Sequence, residues 1–375
     1  MNVKFGQATT PEQLAACMKL RYTVYTEEMN LYQSTEAAEA QALTDEDDAW
    51  ARIFYAEVDG EIVATSRANL GRDGQYPASW NTIWDFGRFS SYVPHSAYLI
   101  SSRTTVTKAH RGGPITGQLF AYKLGECIKA GARIIFLDCV PHLVSYYQRL
   151  GARAYTDSVE DADVGILVPM CIVLEDQAHL ERVRSAFLPI SQALLPEATG
   201  TPAWVNEVFH TGPYAEAARQ QRSEQGLFQL LAENRLPLFK GFTPEEVLKL
   251  TQGATLLDNQ AGQLMIKRET VYRSVFVVLS GSVDVLAGSR HVATLHAGEV
   301  LGEMAYLLAG SRSANVNAGL EGASILALQE TVLRKAFEAE PALSARFHVN
   351  LARILALRLA SMGQQLQTPN PELFA

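Results

Sequence analysis

Two hydrophobic rhythms follow one another along this chain, and their order organises it. From Arg52 to Val58 (RIFYAEV) apolar and polar residues alternate, Gly60 starts a turn, and Glu61 to Ala68 (EIVATSRA) resumes a strand pattern, which predicts a β-hairpin. Tyr98 to Thr105 predicts another strand, and Gly117 to Ala130 carries Leu119, Phe120, Leu124 and Cys127 at helical spacing. Ile134 to Val140 (IIFLDCV) is a short apolar run suited to a buried strand, and a helix through Val144, Tyr147 and Leu150 stops at Gly151. Strand, helix, strand, helix is an α/β order. After Leu236 the pattern turns to short, closely spaced strands punctuated by Gly281, Gly288, Gly298 and Gly302, which predicts a small β-barrel or roll. Leu333 to Leu359 returns to helical spacing, interrupted at Pro341, and no internal repeat is visible.

A length of 375 residues exceeds what one hydrophobic core usually serves, so two modules are expected. Pro196, Gly200, Pro202, Gly212 and Pro213, followed by a polar helical stretch, mark the connector. The expected division is an α/β domain over residues 1–195, a linker and connecting helix over 196–234, a mainly-β domain over 235–362 and a tail over 363–375. With 47% hydrophobic and 19% charged residues both modules should fold, and a net charge of -8 weighs against a nucleic-acid footprint. Cys17, Cys127, Cys139 and Cys171 have no metal-ligand or disulfide spacing, so they read as buried small residues and no metal is expected. The start of the chain lacks a basic-then-apolar leader and no stretch is long and apolar enough for a membrane span, so a cytoplasmic protein is expected.

Residues Gly302 to Ala314 read GEMAYLLAGSRSA, preceded by LPLFKGF (from Leu236), VFVVLSGSVDV (from Val275) and LHAGEVLGE (from Leu295). In motif, order and spacing this segment resembles the cyclic-nucleotide-binding domains, a jelly-roll barrel with flanking helices. A cyclic phosphodiester needs a cation and donors, which Arg312, Ser313 and the amides of a short helix opening after Gly302 can supply. Glu303 can accept from the free ribose hydroxyl. The resemblance gives those roles to the same positions and implies a nucleotide site made of Gly302, Glu303, Met304, Ala305, Arg312, Ser313 and Ala314. Serine after Arg312, rather than threonine, favours cyclic AMP over cyclic GMP. The stretch IKRETVY from Ile266 to Tyr272 departs from the family's Gly-Asp turn. The C-terminal helix would cover the base. The stretch beyond Arg358 is too short for a DNA-reading helix-turn-helix, so the sensor is expected to act on the module before it.

Arg103 to Gly117 read RTTVTKAHRGGPITG, then come a helix, the strand IIFLDCV and SYYQRLGAR from Ser145. This order resembles the Gcn5-related N-acetyltransferase fold, a mixed central sheet flanked by helices. There a glycine turn at a helix N-terminus holds the pyrophosphate of coenzyme A; Gly112 and Gly113 permit close backbone approach and Arg111 supplies charge, although Pro114 removes an amide and Thr116 replaces a glycine. The donor-binding set implied is Val106, Lys108, Arg111, Gly112, Gly113, Ile115, Thr116 and Gly117. Tyr147 corresponds to the acid for the leaving thiolate, its plain alternative being a core aromatic. Arg21, Tyr25, Asp45, Asp48, Arg67 and Arg103, in KLRYTVYTEE, TDEDDAW, VATSRANL and ISSRTTV, are similar to the acyl-homoserine-lactone synthase and N-acyl amino acid synthase branch. Ile100 stands where that branch places a glutamate, while Asp85 and Arg88 in WDFGRF offer a second alignment. Candidate bases are Asp85 and Glu126.

Together these readings imply an N-acyltransferase regulated by a cyclic nucleotide. Its donor would be acetyl-CoA, a longer acyl-CoA or an acyl carrier protein, and its acceptor an amino acid or other small amine. The alternatives are a cyclic-AMP-dependent protein lysine acetyltransferase, a non-catalytic acyl-CoA and nucleotide sensor, and a partner-binding adaptor. Oligomeric state is left open.

Overall fold

A computed structural model describes residues 2–210 and 215–367. Gly212 and Pro213 of the expected connector, and the expected tail beyond Gln367, lie outside the described residues. The chain divides into two compact units, Met1–Gln220 with Leu264–Val271, and Gln221–Gln263 with Tyr272–Ala375.

In the first unit β1 (Val3–Gln7), β2 (Arg52–Val58), β3 (Glu61–Leu70), β4 (Tyr98–Val106), β5 (Ile134–Cys139) and β8 (Gly165–Val173) lie side by side in that order. The short strands β6 (Arg153–Ala154), β7 (Val159–Asp161) and β10 (Leu264–Ile266) pair with β8. Every pairing is antiparallel except β4 with β5, so the sheet is mixed. Its helices are α1 (Pro11–Arg21), α2 (Thr35–Ala40), α3 (Ala78–Trp84), α4 (Ile115–Lys129), α5 (Val144–Arg149), α6 (Gln177–Arg182), α7 (Leu188–Leu194) and α8 (Ala203–Phe209). Both α1 and α4 pack on β3. The eight residues from Val63 to Leu70 are consequently all buried, and the polar ones must find partners inside.

Local sequence fixes the elements around the site. Thr10 and Gln13 form a reciprocal capping box with Pro11 in the first turn, which starts α1; the helix then continues as a π-helix, Tyr22–Glu28. Strands β4 and β5 pair only at Tyr98 with Ile134, Leu99 with Ile135 and Ile100 with Phe136, although both run on to Val106 and Cys139. Beyond Ile100 they part, and the β4 side chains change from fully buried to partly exposed, Thr105 excepted. On its other edge β4 slips register against β3 between Thr65 and Arg67, and Arg103 in the slipped stretch takes a left-handed φ of 50°.

The second unit begins inside α9 (Glu216–Ala232), where a connecting helix was expected. It has β9 (Thr255–Asn259), β11 (Val275–Ala287), β12 (Arg290–His296), β13 (Val300–Leu301) and β14 (Asn315–Leu328), all paired antiparallel around β11 and β14. Its helices include α10 (Pro244–Thr251), α11 (Glu303–Leu308), α12 (Glu330–Ala339) and α13 (Pro341–Gln367), and the α12–α13 break falls at Pro341 as expected. Leu343, Phe347 and Leu351 of α13 share one core with Phe239, Val275, Val277 and Leu333. No helix among the described residues is long and apolar enough to cross a membrane, and the four cysteines are buried and free.

Candidate functional site

The parting of β4 and β5 opens a wedge, and a small, partly open cavity lies in the first unit at that place. Leu99 and Ser101 of β4, Ile135 and Leu137 of β5, and Phe120, Lys123 and Leu124 of α4 line it together with Leu150, Ile172 and Phe187. Tyr147, on α5, also lines the cavity. Burial raises its phenol well above the usual value, and Cys139, Tyr25, Tyr146 and Asp138 are close enough to add to the effect. Lys123 was not singled out from the sequence. It sits on the same stripe as Leu119, Phe120, Leu124 and Cys127, and a lysine within a buried stripe is the signal that marks it.

Arg21, Arg67, Arg103, Asp45 and Asp48, distant in sequence, form one network. Arg21 is fully buried and donates to Asp48 at 2.7 Å, while its Nε and Nη2 have no partner among the described residues. Arg67 bonds Asp45 closely, Asp48 at 3.3 Å and Ser102 at 2.9 Å. Arg103 reaches Asp45 at 2.9 Å and lies over the Tyr32 ring at 4.3 Å. Burial would raise the Asp45 carboxyl, but Arg67 and Arg103 hold it below the ordinary value. Tyr25, placed by the π-helix, donates to the Thr104 carbonyl at 3.3 Å, on the bulged part of β4.

After β4 the chain makes a short turn, Lys108–His110, then Gly112 with φ 74°, and enters α4 at Pro114. No side chain caps α4 and its first turn holds no acidic residue, so the amides of Ile115, Thr116 and Gly117 face outward at its positive end. Arg111 binds back to the Val106 carbonyl at 3.1 Å and to Glu28 at 2.5 Å.

The candidate bases stand apart. Asp85, at the end of α3, pairs with Arg88 at 3.1 Å, and Glu126 pairs with Lys129 at 2.8 Å; neither lines the cavity. Asp138, which nothing in its sequence context marks, lies on β5 two residues past the last pairing with β4. Burial and the neighbouring Asp161 push its carboxyl up to about 6 against the pull of Arg103 and Arg67. Its position in the run FLDCV makes it look like a strand residue, and only the parting of the strands distinguishes it.

In the second unit Gly302 carries φ 84°, and a Cβ built there would fall 2.4 Å from Arg312 Nη1 and 2.6 Å from the Ser274 carbonyl oxygen. Arg312, 5% exposed, occupies that space. It donates to the carbonyls of Gly302 at 3.0 Å and Ser274 at 2.8 Å, with its guanidinium 5.3 Å from the Phe276 ring centre. Burial lowers it to about 10, which Glu303 opposes, so it stays charged at neutral pH. Glu303 opens α11 and is also buried. Its Oε1 accepts from Arg358 of α13 at 2.9 Å, and Arg358 also donates to the Val300 carbonyl at 2.5 Å. Met304 and Ser313 are exposed and Ala305 is buried beside them. Tyr306 of α11 stacks on His348 of α13 at 5.9 Å.

Residues 258–340 match the family model of the cyclic nucleotide-binding domain. The buried Glu303 and Arg312 both fall inside the matched segment of this domain, whereas Arg358 lies beyond it. No curated protein matches the chain. Among solved structures, the Thermus thermophilus catabolite activator protein is 29% identical over 35% of this chain and 61% of its own, with a TM-score of 0.31. The chain thus spans less than two thirds of that protein's length. Escherichia coli ElaA is 20% identical over 46% of this chain and 99% of its own, TM-score 0.33. TofI, solved in a ternary complex with an inhibitor and MTA, is 17% identical over 51% and 100%, TM-score 0.38. At TM-scores this low the likenesses decide neither fold nor activity; the mixed sheet and the β-rich second unit rest on the strand pairings themselves.

Proposed function

We propose that the chain is an N-acyltransferase that moves an acyl group from a thioester to a primary amine, under the control of a cyclic nucleotide held by its second unit. The observation that carries the reading is the wedge between β4 and β5, which opens on an apolar cavity under the middle of α4, a helix whose N-terminus is uncapped. A thioester donor presents a matching part to each: a thin chain to the wedge, an apolar acyl group to the cavity and a diphosphate to the helix N-terminus. The amides of Gly113, Ile115, Thr116 and Gly117 with Arg111 would hold the diphosphate, the turn spanning Gly112, and the segment from Val106 at the end of β4 to Lys108 would lie along the chain.

The chemistry needs a base, oxyanion donors and relief for the leaving thiolate. Asp138, raised to about 6, is ionised at neutral pH yet basic enough to relay the ammonium proton, and it takes precedence over Asp85 and Glu126 for that role. Backbone amides near Val106 would meet the oxyanion. A phenol raised as far as Tyr147 yields its proton less readily than a thiol does, so Tyr147 serves by donating a hydrogen bond to the departing sulfur. The Arg21, Arg67, Arg103, Asp45 and Asp48 network, with Tyr25, would orient the acceptor.

In the second unit Arg312 and Ser313 would meet the cyclic phosphate and Glu303 the ribose. Glu303 Oε2 has no hydrogen bond among the described residues, so a ribose hydroxyl can use it while Arg358 keeps Oε1. Nucleotide contact with Glu303 is therefore contact with α13, and regulation requires that two states of the protein bind the nucleotide unequally.

Isothermal titration with cyclic AMP and cyclic GMP, with and without an acyl-CoA, tests the pairing of functions. Micromolar nucleotide binding that shifts with the thioester supports it. Absence of nucleotide binding at millimolar concentration sinks the regulatory half. Thioester binding without transfer to a broad amine panel leaves a sensor instead of an enzyme.

A further inference from the structure

The cavity of the first unit contains a charge that the transfer chemistry above does not use. Eight of its eleven lining side chains are apolar, yet Lys123 is among them and is 4% exposed. Its Nζ donates to Ser66 Oγ at 2.7 Å and Ser101 Oγ at 2.6 Å. Ser66 passes the contact on to Thr104 at 2.8 Å. An ammonium group has three donors, and these two bonds leave one with no protein acceptor among the described residues. Among the described residues no carboxylate pairs with Lys123, and the nearby thiol of Cys127, one turn along α4, is pushed up to about 12 by burial and so is neutral at pH 7.

The only other contact of note for Lys123 is the Phe120 ring, 4.9 Å from Nζ, and a buried cation without a counter-ion is costly unless a ligand brings the counter-charge. Here the hydroxyl-bound amine lies in the wall of a chamber that also has polar Ser101 and Tyr147 in its lining, while the other walls are hydrocarbon.

We propose that Lys123 determines donor specificity by reading the far end of the acyl chain, and that the chamber takes thioesters of dicarboxylic acids, whose free carboxylate pairs with Lys123 Nζ. The inference rests on the acyl-transfer reading, and it names the substrate class of that site. A simple fatty acyl chain would fill the hydrocarbon walls but leave the ammonium without its counter-charge.

The test uses unreactive coenzyme A thioethers of one chain length, one ending in methyl and one in carboxylate, with coenzyme A as reference, titrated calorimetrically into the full chain. The wild type is expected to bind the carboxylated probe at least about tenfold more tightly than the methyl one at pH 7. Lys123→Met, which keeps the length of the side chain, is expected to reverse that order. Because Lys123 is lowered to about 8 by burial, the wild-type preference should also shrink at alkaline pH; Cys127 and Tyr147 titrate higher and stay neutral there. That pH series needs no substitution and stands even where Lys123→Met folds poorly. Equal binding of the two probes by the wild type, or a preference that survives in Lys123→Met, overturns the specificity role and leaves acyl transfer intact. Failure of coenzyme A and both probes to bind removes the acyl-transfer reading and this inference with it.

Discussion

Each unit's candidate site buries a cation whose hydrogen bonds go to neutral oxygens, and the two are held differently. Lys123 rests on two serine hydroxyls and Arg312 on two backbone carbonyls. Burial lowers both, Lys123 to about 8 and Arg312 to about 10. The consequence differs because a guanidinium at that value is still charged under any physiological condition, whereas an ammonium near 8 is within reach of neutrality. Arg312 therefore keeps its charge permanently, with a planar fork fixed by its carbonyl contacts, as the anion receptor of the proposed reading requires. Lys123, in the proposed reading, holds its charge conditionally and is strengthened by a negative charge entering its cavity.

The strongest way to break this comparison is to remove the permanent charge. Arg312→Ala is expected to weaken cyclic-nucleotide binding by roughly 100-fold or more, the loss of a buried charge-assisted contact, as read by calorimetry. Arg312→Lys keeps the charge but gives up the fork, and the expected loss is about tenfold, near the ~1.5 kcal/mol of one charge-assisted hydrogen bond. If both substitutions are silent, the second unit's anion site lies elsewhere.

For Lys123 the sharper readout is stability against pH. Its folded value lies below its unfolded one, so the unfolded chain binds more protons between about 8 and 10.5, and stability from this group rises with pH across that window. Lys123→Met should match or exceed the wild type in thermal unfolding at pH 7, by on the order of 1 kcal/mol, and the difference should narrow toward pH 9.5. A difference independent of pH would show that the ammonium is not desolvated. The smallest expected effect belongs to Arg358→Ala: losing the partner of Glu303 should weaken nucleotide binding about fivefold, in line with ~1 kcal/mol for a partly exposed pair.

Much of the fold was legible because it is written locally. The alternation around Gly60 predicts a hairpin, and β2 and β3 form it; the apolar run from Ile134 appears as β5. The capping signal of Thr10, Pro11 and Gln13 was also present but lay ahead of a weakly amphipathic stretch, so α1 went unread. Three features had no local signal at all. Leu264–Ile266 joins β8 from about a hundred residues away, Arg358 meets Glu303 across 55 residues, and the depth of Lys123 depends on serines from two other strands. A charged residue on a helix reads as solvent-facing until the elements around it are known. The motif around Arg312 was readable because its parts lie within one loop and helix, while Asp138 needed the parting of two strands to stand out.

Gly302 and Arg312 are bound together in inheritance. The missing Cβ of Gly302 is the space that Arg312 fills, so the two positions are not independent letters of the sequence but one heritable unit. A change of Gly302 to alanine would unseat the arginine without altering it, and no later change at Arg312 alone could restore the receptor. A descendant of this chain could therefore lose the proposed nucleotide site through a single silent-looking methyl group while every charged residue of the site is still in place.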